Sequence, residues 1–464
     1  MIESSVNGLC RLTVRAPDKT LDLAVPADIP VADLLPVIAA HAGETEEAGP
    51  EHDGWVLQRI GGEPLDAEET PASLKIKDGE TLLLRPRDQA LPPIRFDNLV
   101  DAVSAAARGL PHGWTPQVSG WTLRLMTAAA LTGCLALLAV GGASAGDRSA
   151  LSAGAAVLAL AGAGAAGRVL EDRPGGVVLG LYGAAFLALF GSLLVAPVHS
   201  EPTARATGAC LLAAGAAATL GMVLANSAVA GYPVVFGAGG VVALAGVLGG
   251  GLMIALDEGF SQVAAAVALC VVVCGAFVPM MAFSLAGLKL PPLPTNAEQL
   301  QEGIEPRSHT DVAQGGAAVD TWMTGLYAAV GAVCGVCLLG LAADPGLPQV
   351  VTAALLALLL GLHSRSLGTS WQRLALAVPA GLGAVLLAVE TARRHGPSAE
   401  LLSVAGLLVA AALASVASWA VPGRRLLPHW GRAADILQSV TAVALFPTIL
   451  WTLGIYQRLR GLNG

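Results

Sequence analysis

The chain has 464 residues, 54% of them hydrophobic and only 13% charged, with a formal net charge of −8. That charge is unevenly placed. Residues 1–120 hold 10 Lys+Arg against 19 Asp+Glu, and the remaining 344 hold 16 against 15. An acidic, solvated head followed by a near-neutral apolar body argues against nucleic acid as a partner.

Residues 10–87 read as a β-grasp. Arg11–Ala16 alternates like a strand, 17–19 is a turn, and Thr20–Val25 alternates again. Asp28 or Pro30 opens a helix through about His41, with Leu34, Leu35 and Ile38 on one face. An acidic loop covers 43–53, Trp55–Ile60 is a third strand, Gly61-Gly62 a turn, and Glu80–Arg85 the last strand after the Asp78-Gly79 turn. Cys10 is expected to be a buried strand residue. On the last strand, Leu82 and Leu84 share one face, and Leu83 and Arg85 the other. An exposed Leu83 beside Arg85 on an acidic domain is a candidate partner-binding surface. The stretch 57–87 is similar to the second half of ubiquitin. It runs on past Arg87 with no free terminal Gly-Gly, so a docking module is expected rather than conjugation.

Residues 91–120 are a linker. It opens with Leu91-Pro-Pro, and Asp97 caps a helix with Phe96, Leu99, Val100, Val103 and Ala107 on one face.

From residue 121 onward come eleven apolar runs, each near the ~20 residues that cross a ~30 Å hydrocarbon core. They fall near 123–142, 150–167, 176–196, 204–225, 229–254, 261–283, 321–342, 347–363, 373–391, 400–421 and 436–457. With no basic, signal-like segment before Leu123, the head is expected in the cytosol, and the odd count puts the C-terminus outside. Expected inside loops carry Arg168, Arg173, Arg365 and Arg373, and the expected outside ones Arg148, Arg205, Arg393 and Arg394. One inside loop, 289–320, is long and polar, with Thr295 or Asn296 capping a short helix.

No Asp, Glu, Lys or Arg falls at the middle of a run; Arg124, Asp320 and Glu390 lie at ends. Ion-coupled transporters place ionisable groups at depth, so this counts against one. Small residues are plentiful instead, as at Gly331 and Gly335, one turn apart. Pro379 and Pro447 fall inside runs and predict kinks. Six of the seven cysteines lie in apolar runs, and neither they nor the scattered His199, His363, His395 and His429 form a metal-ligand pattern. There is no phosphate-binding loop, and no catalytic, cofactor or metal residue is assigned.

The head, the Pro-Pro linker, Phe96-Asp-Asn-Leu-Val-Asp-Ala-Val103, Leu290-Pro-Pro-Leu-Pro-Thr295 and the eleven runs resemble the EccD family of actinobacterial type VII secretion. The resemblance implies a non-enzymatic scaffold in the bacterial cytoplasmic membrane, without cofactors. It implies a second copy of the chain, EccB, the ATPase EccC and, where present, EccE as partners, together with membrane lipids. The competing reading is a small-solute transporter or channel with a regulatory ubiquitin-like head.

Overall fold

The computed structural model describes residues 9–17, 19–43, 54–87, 90, 100, 115–196, 203–288, 308–344, 346–420 and 428–462. The chain divides into two compact units, Met1–Thr115 and Pro116–Gly464. The expected linker helix (only Val100 is described) and the short helix near Thr295 lie outside the described residues, as do 44–53 of the acidic loop.

The first unit is a ubiquitin-like β-grasp. Strands β1 (Leu9–Arg15), β2 (Thr20–Pro26), β3 (Trp55–Arg59) and β4 (Glu80–Pro86) form one sheet in the order β2-β1-β4-β3. β1 and β4 run parallel at the centre, and the other pairs are antiparallel. Helix α1 (Val31–Ala42) packs on one face. Leu12, Val14, Ile38, Leu82 and Leu84 are sealed between helix and sheet, and Cys10 is buried as expected. The alternation of β1 and β4 makes this core, because every second side chain points the same way.

The start of α1 departs from the simple capping expectation. Its N-cap is Pro30, with no side-chain hydrogen bond. The orphan N–H groups of Val31 and Ala32 instead donate to the carbonyls of Glu69 and Ala67, at 2.9 and 2.8 Å. The irregular segment after β3 therefore completes the helix. The Asp78-Gly79 turn is tied to β1: Arg11 N–H donates to Asp78 Oδ1 at 2.9 Å, and Gly79 N–H to the Arg11 carbonyl at 2.8 Å.

The second unit is a helix bundle, and among the described residues ten of its helices are long and apolar enough to cross a membrane. They are α2 (Pro116–Val140), α3 (Ala145–Arg168), α4 (Arg173–Val195), α5 (Ala204–Ala228), α6 (Pro233–Leu256), α9 (His309–Ala343), α10 (Leu347–Ser364), α11 (Ser370–His395), α12 (Pro397–Ala420) and α13 (Pro428–Thr452). Between α6 and α9 lie α7 (Phe260–Gly275) and α8 (Val278–Leu285), bent by 60° where one continuous run was expected at 261–283. The cause is Pro279, which has no N–H to offer the Gly275 carbonyl four residues back. A short α14 (Ile455–Leu462) ends the described chain.

Polar contacts sort the helix ends onto two faces. Arg124 at the start of α2 bonds Asp172 between α3 and α4 at 2.6 Å, and Arg365 after α10 pairs with Asp435 near the start of α13. On the opposite face, Arg205 lies 3.3 Å from Asp257, Arg394 lies 3.3 Å from Asp344, and Arg458 of α14 pairs with Glu258. Five crossings, α9 to α13, separate the start of α9 from Arg458. The start of α9 is therefore on the face opposite Glu258. Leu288, just past α8, sits against Gly315 in the first turns of α9. The bent pair thus passes from one face to the other, and counted as one span it brings the candidate crossings among the described residues to eleven.

Arginines also close several helix ends. Arg148 donates to the carbonyls of Leu138 and Ala139, Arg168 to those of Ser227 and Ala228, and Arg394 to that of Ala343. These carbonyls have no helical partner of their own.

Packing depends on small residues. A Cβ added at Gly215 of α5 would lie 2.6 Å from the Val247 nitrogen of α6, and one at Gly250 would lie 2.6 Å from the Gly208 carbonyl oxygen. Gly331 of α9 faces the Ala375 carbonyl of α11, which Pro379 has released from its helical bond. The Gly331/Gly335 pair is thus an intrachain contact. Gly250→Val should lower the melting temperature of the detergent-purified chain by several degrees, because two backbones must part. Gly361→Val on α10, where nothing lies within 4 Å, should leave it unchanged. Parallel fluorescence melting curves check the pair.

Candidate docking surface and the helix bundle

The candidate surface of the head is the β4 face turned away from α1. In register, Leu83 lies opposite Gln58 of β3 and beside Arg15 of β1, while Arg85 lies opposite Val56. The sequence reading left Leu83 exposed. It is only 8% exposed, with Val56 at 5% and Gln58 at 0%. Val56 and Gln58 belong to the edge strand β3, so the burial of this face is not confined to the central strand, and alternation alone does not reveal it. Arg85 remains half-buried. Of the pair, Arg85 keeps part of its surface accessible and Leu83 keeps little.

One ion pair stiffens the entry to β4. Arg59 Nε lies 2.6 Å from Glu80 Oε1 and its Nη2 donates to the Leu74 carbonyl, while Lys77 N–H donates to Glu80 Oε2 at 2.8 Å. Burial by itself would raise the Glu80 carboxyl, but the hydrogen bonds from Arg59 and Lys77 outweigh it and hold Glu80 below the usual carboxylate range. A depressed folded-state value contributes stability above the unfolded value that is lost as pH falls through the folded one. The isolated head should therefore lose stability on acidification below about pH 4.5, the ordinary glutamate value. Glu80→Gln should flatten that loss. Urea titrations of both proteins between neutral and acidic pH test it, and parallel curves would refute it.

Two features stand out within the bundle. At the α7–α8 break a cavity of about 190 Å³ is lined by Gly275, Ala276, Tyr327, His363 and Gln438, with apolar side chains around them. Gln438 Nε2 and His363 Nδ1 lie 3.2 Å apart, and the Tyr327 and His363 rings are 5.8 Å apart. The sequence singled out only His363 of these. Its partners come from α9 and α13, and nothing in a linear pattern brings them together. Nearby, fully packed Gln372 of α11 donates to Asp320 Oδ1 of α9 at 2.8 Å.

The second feature is the length of α9. The polar segment 289–320 was expected to be a loop, yet its last third is helical. Ser308 caps this helix by accepting from Asp311 N–H at 3.1 Å. Cys334 and Cys337 of α9 are buried, whereas Cys270 and Cys274 of α7 are exposed. Among the described residues no group of three or more His, Cys, Asp or Glu gathers as a metal site.

The architecture agrees with known proteins at both units. Residues 119–462 match the EccD-like transmembrane domain, and residues 9–84 match YukD of the WXG100 protein secretion system. The chain belongs to the EccD family of type VII secretion membrane proteins. It is 29% identical over 490 residues to the ESX-4 secretion system protein eccD4 of Mycobacterium tuberculosis, covering 98% of both chains. In fold it is similar to a chain of protomer 1 of the ESX-3 core complex, at 17% identity with a TM-score of 0.59, over 97% of this chain and 99% of that one. It is also similar to a chain of the MycP5-free ESX-5 inner membrane complex, at 18% identity with a TM-score of 0.54, over 88% and 100%. This EccD family member is thus a multi-span type VII secretion component with a ubiquitin-like domain.

Proposed function

We propose that the protein is a non-enzymatic scaffold and translocation subunit of a type VII secretion complex in the bacterial cytoplasmic membrane, and that its head docks the secretion ATPase. The observation that carries this reading is the joining of a YukD-like domain to an EccD-like bundle in one chain. EccB, EccC, EccE and a second copy of the chain are the proposed partners. Solved relatives in core and inner membrane complexes support an assembly role. Two peripheral helices, α2 and α12, bury no residues within the chain over their apolar windows, which leaves them to lipid or a partner. The rival reading, a small-solute transporter, draws on the 190 Å³ cavity at a broken helix. That cavity holds no Asp, Glu, Lys or Arg among its lining residues, so it offers no charge to couple to an ion.

Deleting residues 1–90 should leave an inserted protein, because the bundle satisfies its backbone in a different solvent from the head. Secretion should stop. Arg85→Glu should reduce ATPase co-purification several-fold at unchanged membrane levels. Normal secretion and complex yield from the headless chain would sink the docking reading and favour the transporter.

The proposed orientation puts the face of Arg124, Asp172 and Arg365 in the cytosol. Reporter fusions after Arg87 and after Gly464 should give opposite activities, cytosolic and extracytoplasmic respectively. The reverse pattern would overturn the orientation, and matching signals would overturn the crossing count.

A further inference from the structure

The helix end at Thr452 leads into a distinctive elbow. Gly454 N–H reaches the Trp451 carbonyl at 3.0 Å, Gly454 adopts φ +67°, and the N–H groups of Gln457 and Arg458 then return to the Gly454 carbonyl at 3.1 Å. α14 does not continue along the α13 axis. Pro447, Thr448 and Trp451 of α13 line one groove of about 380 Å³ with Tyr456, Gln457 and Arg460 of α14. A straight helix would carry Arg460 about 18 Å beyond Thr448. Arg458 turns away from this groove and pairs with Glu258, whose side chain is only 19% exposed. Glu258 lies between two membrane-crossing segments, so the pair holds α14 at the boundary between hydrocarbon and water.

The chemistry of the elbow selects a ligand. Arg460 is exposed, forms no ion pair among the described residues, and shares the groove with no acidic side chain. A guanidinium presents several donors in one plane and suits a phosphate. Trp451 and Tyr456 are 36% and 40% exposed, and their part-polar rings favour the headgroup layer. Ile455 and Leu459 form an apolar stripe one turn apart, with Leu459 53% exposed. A soluble anion would gain nothing from that stripe or from the rings. A lipid would use all three features.

We propose that the α13–α14 elbow binds the phosphate of an anionic phospholipid headgroup through Arg460. The headgroup lies between Trp451 and Tyr456, and the acyl chains run past Ile455 and Leu459. The site belongs to the Glu258 face whichever compartment that face meets, so it does not depend on the docking role of the head.

Native mass spectrometry of the full-length chain in detergent tests it, with phosphatidylglycerol and phosphatidylcholine as probes. Phosphatidylglycerol should be retained in preference. Arg460→Gln should lower its retention about fivefold, the effect of one basic residue at an anionic surface. Arg460→Lys should restore part of it, because a point charge remains. Arg393→Gln, an exposed arginine on the same face, should leave retention unchanged. Equal retention of the two lipids, no loss in Arg460→Gln, or an equal loss in Arg393→Gln would overturn the proposal. Displacement by inorganic phosphate alone would assign the site to a soluble anion and overturn it as well.

Discussion

Backbone hydrogen bonding without water is the constraint on which the bundle depends. In hydrocarbon an unpaired carbonyl or N–H costs several kcal/mol, so each crossing must be helical and each end or break must find partners. Arginines supply them at the faces, where Arg148, Arg168 and Arg394 reach the carbonyls of neighbouring turns. The bend at Pro279 and the released Ala375 carbonyl opposite Gly331 are places where proline withdraws a donor and the surroundings adjust. Arg394 does both tasks, closing the end of α9 at the Ala343 carbonyl while pairing with Asp344, so at that corner helix closure and topology are one arrangement.

Between the faces the bundle uses a different means. Water cannot drive helices together in lipid, so backbones approach until dispersion suffices. The glycines of α5 and α6 permit that approach, and Gly331 permits the crossing of α9 and α11. The head follows the opposite logic. It buries leucine, valine and isoleucine side chains between a sheet and one helix, as a water-soluble domain does. One chain therefore carries two cores assembled by different forces.

Much of this was legible in the sequence. Alternation placed β1 to β4 within a residue or two, and hydropathy found each long apolar helix, though the last run, expected at 436–457, starts eight residues late and runs past the end of α13 at Thr452. What it missed involves contacts between distant segments. The α1 N-terminus is completed by carbonyls of residues 67 and 69. Leu83 is covered together with Val56 and Gln58 of β3, and the burial of a whole sheet face is not written in a period of two. The bend at 276–277 had a local signal in Pro279, but Pro379 and Pro447 carry the same signal inside helices that run on through them. The extra turns of α9 had one too, the Ser308–Asp311 capping pair, obscured by the polarity of the surrounding residues. At the candidate site, the alternation correctly put Arg85 beside Leu83. It did not reveal how little of that face is exposed.

The length of α9 has a mechanical consequence. Its 35 residues form a rod of about 52 Å, against a hydrocarbon layer of about 30 Å. A stiff rod transmits rotation and tilt along its axis, whereas a loop dissipates them. The aqueous end near Ser308 is thus rigidly geared to the packed stretch from Leu326 to Leu341 deep in the bundle. Any load on the polar end is felt directly at the tight seam with α11, where Gly331 leaves no clearance to absorb it.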